Sequence, residues 1–301
     1  LSPHVIRVWE KRYGAVSPQR TTTNRRLYSE ADIDRLRLLS QATHTGCSIG
    51  QIAALSLEQL FELVAVAAGT PAVPASEPAT TAEGLDVQAH LADCLTAVER
   101  LNPGALESAL MRASVALSQP LLLDGLVATL MTTIGTRWQA GVLRVAHEHL
   151  ATAIVRTFLG SLRGAWEAPE AAPNLVVTTP AGQLHEIGAL MAACLAAADG
   201  WHVTCLAPNL PAEEIAAAAQ MPRTRAIALS LIYPQDDPRL PYELRKLHRA
   251  LPPTMALLVS GRAAAGYHET LSSIGALRPP TMSSLRTHLA SLRSQAAPLL
   301  A

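Results

Sequence analysis

At Pro173 the hydrophobic pattern of the chain changes period, and this change constrains the fold more than any other feature. Before it, over residues 86–164, apolar side chains recur at helical spacing. The pattern breaks only at Asn102-Pro103-Gly104, Gln119-Pro120 and Gly141. After it come short β-branched or apolar runs at 175–179, 202–206, 226–230 and 256–259, with helical stretches between them at 186–198, 212–220 and 241–251. The first pattern predicts a four-helix bundle over residues 86–165. The second predicts a parallel, doubly wound Rossmann-like sheet over 173–301, because parallel strands need crossover helices between them. Ligands of such sheets bind outside the carboxyl ends of the strands.

The expected architecture is therefore multi-domain, α and α/β. A length of 301 residues suits two or three domains. Apolar residues make up 49% and charged residues 16%, and only two are Phe, a balance that favours helices. No apolar run reaches the roughly 18–20 residues of a membrane span, and no secretory signal stands at the start. Cys47, Cys94, Cys194 and Cys205 lack C-x-x-C spacing, which argues against a zinc site or a disulfide framework and for a reduced, cytoplasmic setting. Residues 69–85 hold Pro71, Pro74 and Pro78 with little bulky apolar content and read as a linker.

The net charge is zero, yet residues 1–40 carry eight cations against four anions. A basic end on a neutral chain points to a polyanion partner for that end. Ser2-Pro3 starts a helix, Ser as N-cap and Pro at the first position, and Gly14 stops it. A Thr/Arg-rich stretch to Leu27 predicts a hairpin, and Ser29 with Asp32 caps a second helix. The strings from Ser2 to Gly14 and from Arg26 to Ser29, followed by Glu30-Ala31-Asp32, resemble the MerR family of winged helix-turn-helix DNA-binding domains over residues 1–68. The resemblance implies double-stranded promoter DNA as partner. It puts contacts at His4, Arg7, Lys11, Arg12 and Tyr13 on the recognition helix and at Arg20, Arg25, Arg26 and Tyr28 around the wing. The family's first helix is expected to precede Leu1.

At the junction after the first run of the α/β part lies Pro180-Ala181-Gly182-Gln183-Leu184-His185-Glu186-Ile187-Gly188. A histidine on such a loop can ligate a metal carried by a flat cofactor. From Ala189 to Leu229 there are 41 residues, then Ser230-Leu231-Ile232; from Tyr233 to Val259 there are 27, then Ser260-Gly261. This spacing resembles the cobalamin-binding module of methionine synthase and the corrinoid mutases. The resemblance implies His185 as the lower cobalt ligand, with Gln183, Gly188, Ser230, Ile232, Ser260 and Gly261 around it and the nucleotide tail. Gln183 replaces an acid, Ile232 a Leu and Ser260 a Gly. A glutamine carbonyl is expected to accept a hydrogen bond from the His185 ring, without charge.

In the bundle, Trp138, Gln139, Val142, Glu148 and His149 fall about a helix–helix corner. The spacing of Trp138 from Glu148-His149 resembles CarH-type photoreceptors, also called LitR, in which a MerR reader, a bundle and a cobalamin domain follow in this order. That family implies adenosylcobalamin covered by the bundle, a dark-state tetramer that blocks a promoter, and its dissociation by light. The family's cobalt-capturing histidine is here Gln139, a poor ligand for Co(III), which leaves water or hydroxide, or else His147 or His149, above the cobalt. The expectation is thus a regulator rather than an enzyme. The rivals are a corrinoid methyl-transfer carrier, which has no use for a basic reader, and a MerR-type regulator whose altered site senses another ligand or a protein.

Overall fold

The structure is a computed structural model that describes residues 1–301 except 2, 22–24, 45–46, 48, 70–79, 167 and 295–301. The expected Ser2 N-cap, the wing tip and the middle of the linker lie outside the described residues. Contacts divide the chain into two compact units, Leu1–Ile154 and Val155–Ala301.

The first unit opens with α1 (Pro3–Tyr13). Its one fully covered aromatic is Trp9, while Arg7 and Lys11, one turn apart, are exposed on a shared face. Gly14, at φ +60°, ends the helix, and its N–H and that of Ala15 donate to the carbonyls of Glu10 and Trp9. Strands β1 (Gln19–Arg20) and β2 (Arg26–Leu27) pair antiparallel as a short hairpin. Helix α2 (Glu30–His44) starts with a reciprocal cap: Asp32 N–H donates to Ser29 Oγ at 3.2 Å, and Ser29 N–H to Asp32 Oδ2 at 2.9 Å. Helices α3 (Ile49–Ile52) and α4 (Leu57–Gly69) complete the reader around Leu39, Ala42, Ile52 and Leu60.

The bundle consists of α5 (Thr80–Glu99), α6 (Pro103–Ala116), a π-helical segment (Leu121–Ala128) running directly into α7 (Thr129–Gln139), and α8 (Val145–Gly164). Asn102 Oδ1 accepts from Ala105 N–H at 3.0 Å and caps α6, with Pro103 at its first position. Leu106, Leu110, Leu123, Leu126, Leu130 and Ile134 form the dry interior. Two features differ from the sequence pattern. Helix α5 begins at Thr80, inside the expected linker. Val115 of α6 lies in the same core as Trp9 and Ile49, so reader and bundle share apolar packing.

The second unit takes in the last residues of α8. It holds β3 (Asn174–Thr178), α9 (Ile187–Ala198), β4 (His202–Cys205), α10 (Ala212–Ala218), β5 (Thr224–Ser230), α11 (Leu240–Ala250), β6 (Ala256–Ser260), a 3-10 turn (Arg262–Tyr267), α12 (His268–Ser273) and α13 (Met282–Ser294). The strands are parallel in the order β4-β3-β5-β6. Every residue of β3 is buried, as expected of a strand covered on both faces. From β3 the chain moves outward to β4, then returns past β3 to β5. The order reverses between β3 and β5, and ligand crevices form where it does. Removing the fully buried Leu126 side chain in a Leu126→Ala variant is expected to cost about 2–5 kcal/mol, read as a lower urea midpoint for the first unit.

Candidate functional site

The loops that follow β3 and β5 meet at the reversal of strand order. After β3, Thr179 Oγ1 donates to the carbonyl of Gln183 at 2.5 Å and accepts from Asn209 N–H at 2.9 Å. Gly182, at φ +87°, donates its N–H to Asn209 Oδ1 at 2.8 Å. A Cβ on Gly182 would come within 2.6 Å of Asp237 Oδ2. Asp237 is itself buried, and hydrogen bonds from the backbone and side chain of Arg239 hold its carboxyl below the usual value.

Gln183 is fully buried and does not do what its spacing suggested. Its Oε1 accepts from the N–H groups of Ile232 and Tyr233, at 2.9 and 3.0 Å, and its Nε2 donates to Pro234 O at 2.9 Å. The carboxamide is therefore spent on the backbone after β5 and does not hold the His185 ring. A buried amide must satisfy its donors and acceptor, and three backbone groups do so here. His185 points outward and is exposed, with the Tyr233 ring edge-on to it. The next residue, Glu186, forms an ion pair with Arg156.

The remaining predicted residues converge on this place. A Cβ on Gly188 would lie 2.5 Å from Ser230 Oγ and 3.7 Å from Ile232 Cδ1. One on Gly261, at φ +100°, would lie 2.2 Å from Leu231 O and 3.0 Å from Ile232 Cδ1. Ser260 ends β6 and accepts from Leu231 N–H at 2.8 Å through its carbonyl. Gly188, Ser230, Ile232 and Gly261 thus pack closely together, with no space for a Cβ at either glycine, and the exposed imidazole of His185 lies on the loop that leads into Gly188. A lone histidine suits a metal that arrives with most of its ligands already in place. The residues present fit a corrinoid.

At the bundle corner, Trp138 is 45% exposed and Val142 69%, and Gln139 is exposed as well. Glu148 bonds on both sides: Oε2 to His149 Nδ1 at 2.6 Å and Oε1 to Thr152 Oγ1, the donor, at 2.9 Å. His147 Nδ1 accepts from Arg144 N–H at 3.1 Å, which commits that nitrogen to the start of α8.

The reader divides its predicted contacts into two sets. Arg7, Lys11 and Arg25 are exposed, whereas the side chains of His4 and Arg12 lie outside the described ones. Arg26 Nε donates to Glu10 Oε2 at 2.5 Å, and Arg20 is 3.7 Å from Glu10 Oε1, so Glu10 pins the hairpin to α1. The rings of Tyr13 and Tyr28, expected at the DNA, pack against the reader's core because they are the apolar cover at its edge. Arg35, counted among the cations of the basic end, donates to the carbonyls of Ala15 and Ala53 at 2.7 and 2.6 Å and ties two loops. Glu10 and Tyr233 had no sequence signal, since both act through partners distant in the chain.

Residues 1–59 match the family described as MerR HTH family regulatory protein, and residues 91–163 match that described as B12 binding domain. The HTH-type transcriptional repressor CarH of Myxococcus xanthus is 31% identical over 264 residues, 87% of this chain and 85% of that protein. This chain belongs to the CarH-type family of MerR regulators with a B12-binding domain. The HTH-type transcriptional repressor CarA of Myxococcus xanthus is 26% identical over 273 residues, 90% of this chain and 86% of that protein. Among solved structures, the monomethylamine corrinoid protein of Methanosarcina barkeri shares the fold, with a TM-score of 0.55 at 14% identity over 69% of this chain and 99% of that one. The B12-binding match of this CarH-type chain falls on α5 to α8, the bundle that carries Trp138 and Glu148. Among the described residues no helix is long and apolar enough to cross a membrane.

Gly261→Ala is expected to cost about 1–3 kcal/mol in backbone strain alone, because its φ is +100° and Leu231 O stands in the way. A lower urea midpoint together with weaker corrinoid binding would bear this out.

Proposed function

We propose that the protein is an adenosylcobalamin-dependent, light-responsive repressor whose oligomeric state and DNA binding follow the upper cobalt ligand. The observation that carries the reading is the convergence of Gly188, Ser230, Ile232 and Gly261 beside the exposed His185 at the reversal of strand order. The membership of the chain in the CarH-type family supports it. When bound, the cofactor supplies a cobalt–carbon bond that light can break. His185 would hold the cobalt, and Gly188, Ser230, Ile232, Ser260 and Gly261, which converge near its loop, would line the nucleotide tail. Trp138 offers an aromatic face and Glu148 a carboxylate to the upper group, the latter held in place by Thr152 and His149. Gln139 would be a poor Co(III) ligand, and after loss of the upper group water or hydroxide, His147 or His149 would take its place. Loss of the upper group shifts the balance between two arrangements of the chain, and with it the population of homo-oligomer, a tetramer in the dark.

On the DNA side, Arg7 and Lys11 of α1 and Arg25 of the wing contact a promoter duplex, with Arg20 and Arg26 held in position through Glu10. Arg7→Ala and Lys11→Ala are each expected to weaken binding and to flatten the log–log salt dependence by about 0.9, the release of one phosphate's counterions. A salt titration of duplex binding reads this.

A dark mixture of the protein with adenosylcobalamin is expected to elute from gel filtration with the cofactor's absorbance, and as a larger species than after illumination. Elution without cobalamin sinks the reading. Binding without a light-driven change in size or spectrum makes the protein a chemical sensor. If the illuminated spectrum is that of a bis-imidazole cobalamin, Gln139→Ala leaves it unchanged and a histidine variant abolishes it.

A further inference from the structure

The imidazole of His185 lacks the charged partner that a ligating histidine usually carries on its far nitrogen. Among the described residues nothing hydrogen-bonds to its ring. What meets it is Tyr233, with ring centroids 5.8 Å apart and planes at 83°. This perpendicular arrangement is one that aromatic pairs favour.

Tyr233 stands on a segment with little freedom. Its N–H and that of Ile232 share Gln183 Oε1, and the carbonyl of Pro234 accepts from Gln183 Nε2. Arg262 Nε donates to Ile232 O at 3.3 Å. Farther along, Gln235 O lies 2.9 Å from where a Cβ on Gly266 would stand, and Tyr267 Oη donates to Asp237 O at 3.4 Å. The loop that bears His185 is tied to this segment by Gln183, to Asn209 by Gly182 and to α8 by the pair of Glu186 with Arg156. Both rings therefore rise from backbone that is held from several directions.

A ligating imidazole has to present one nitrogen along the metal axis, and something must stop it turning about its bond to Cβ. We infer that Tyr233 is the positioning residue of His185, an uncharged aromatic stop in place of a carboxylate, with Gln183 acting on the imidazole only through the backbone that carries Tyr233. The ring contact exists without cofactor, and its consequence for cobalt rests on the proposed role of His185. A neutral stop fixes ring direction without drawing charge onto the imidazole. The ring contact alone is sufficient, and the tyrosine hydroxyl is not needed.

Two measurements on the full chain, labelled with nitrogen-15 histidine, test this. In the cofactor-free protein the His185 ring resonances, identified by their absence in His185→Ala, carry a ring-current shift. Wild type and Tyr233→Phe are expected to share it, and Tyr233→Ala to move it to the position of a free histidine. A wild-type resonance already at that position, or one unmoved in Tyr233→Ala, overturns the inference. With Co(II) cobalamin bound, wild type and Tyr233→Phe are expected to show the two-line splitting of a nitrogen-15 ligand in the electron spin resonance spectrum, and Tyr233→Ala to lose it. Retention of that splitting in Tyr233→Ala also overturns the inference. A wild type that binds no cobalamin, or shows the three-line splitting of the cofactor's own base, refutes His185 as ligand instead, and the ring-current shift then decides whether Tyr233 orients it.

Discussion

The buried carboxamide of Gln183 is the interaction on which the candidate site depends. Three hydrogen bonds from one side chain join the loop after β3 to the loop after β5, the two loops that flank the reversal of strand order. Breaking such a network leaves the buried carboxamide of Gln183 without partners, at a cost of about 1–3 kcal/mol for each hydrogen bond lost. The exposed His185 can thus sit on a loop that is rigid at its root. The same bonds remove Gln183 from any direct role at the imidazole, and they place Tyr233 there.

A comparable economy governs the reader. Glu10, three residues after Arg7 on α1, collects Arg26 and Arg20 from the hairpin. One carboxylate inside α1 sets the angle between recognition helix and wing. Arg35 does similar work through two backbone carbonyls. Of the many cations at this end of the chain, some build the reader and others remain exposed for a polyanion. Val115 joins the core of the reader to that of the bundle, so the packing of α6 and the position of α1 are not independent.

Much of the fold was legible in the sequence. The breaks at Asn102, Pro120 and Gly141 divide the bundle where capping and turn chemistry demand it, and the four β-branched or apolar runs became the four parallel strands. The Ser29–Asp32 cap formed as its spacing predicts. Gly188 and Gly261, singled out by the resemblance, stand where a Cβ would meet Ser230 Oγ and Leu231 O. The start of α5 at Thr80 was missed, since Thr80, Thr81 and Gly84 carry weak helical signals beside a proline-rich stretch. Tyr13 and Tyr28, expected at the DNA, also pack against the reader's core, since a half-buried aromatic ring can serve both.

The sequence by itself determined the elements, their order and the residue types at the candidate site, since periodicity, caps and glycines are local properties. The tertiary structure alone decided which partners those residues take. Gln183 reaches Tyr233 across 50 residues, and Glu10 reaches Arg26 across 16. A hydrogen bond forms wherever a buried donor and acceptor meet, and which of them meet is set by strand order and loop path, which no local pattern encodes.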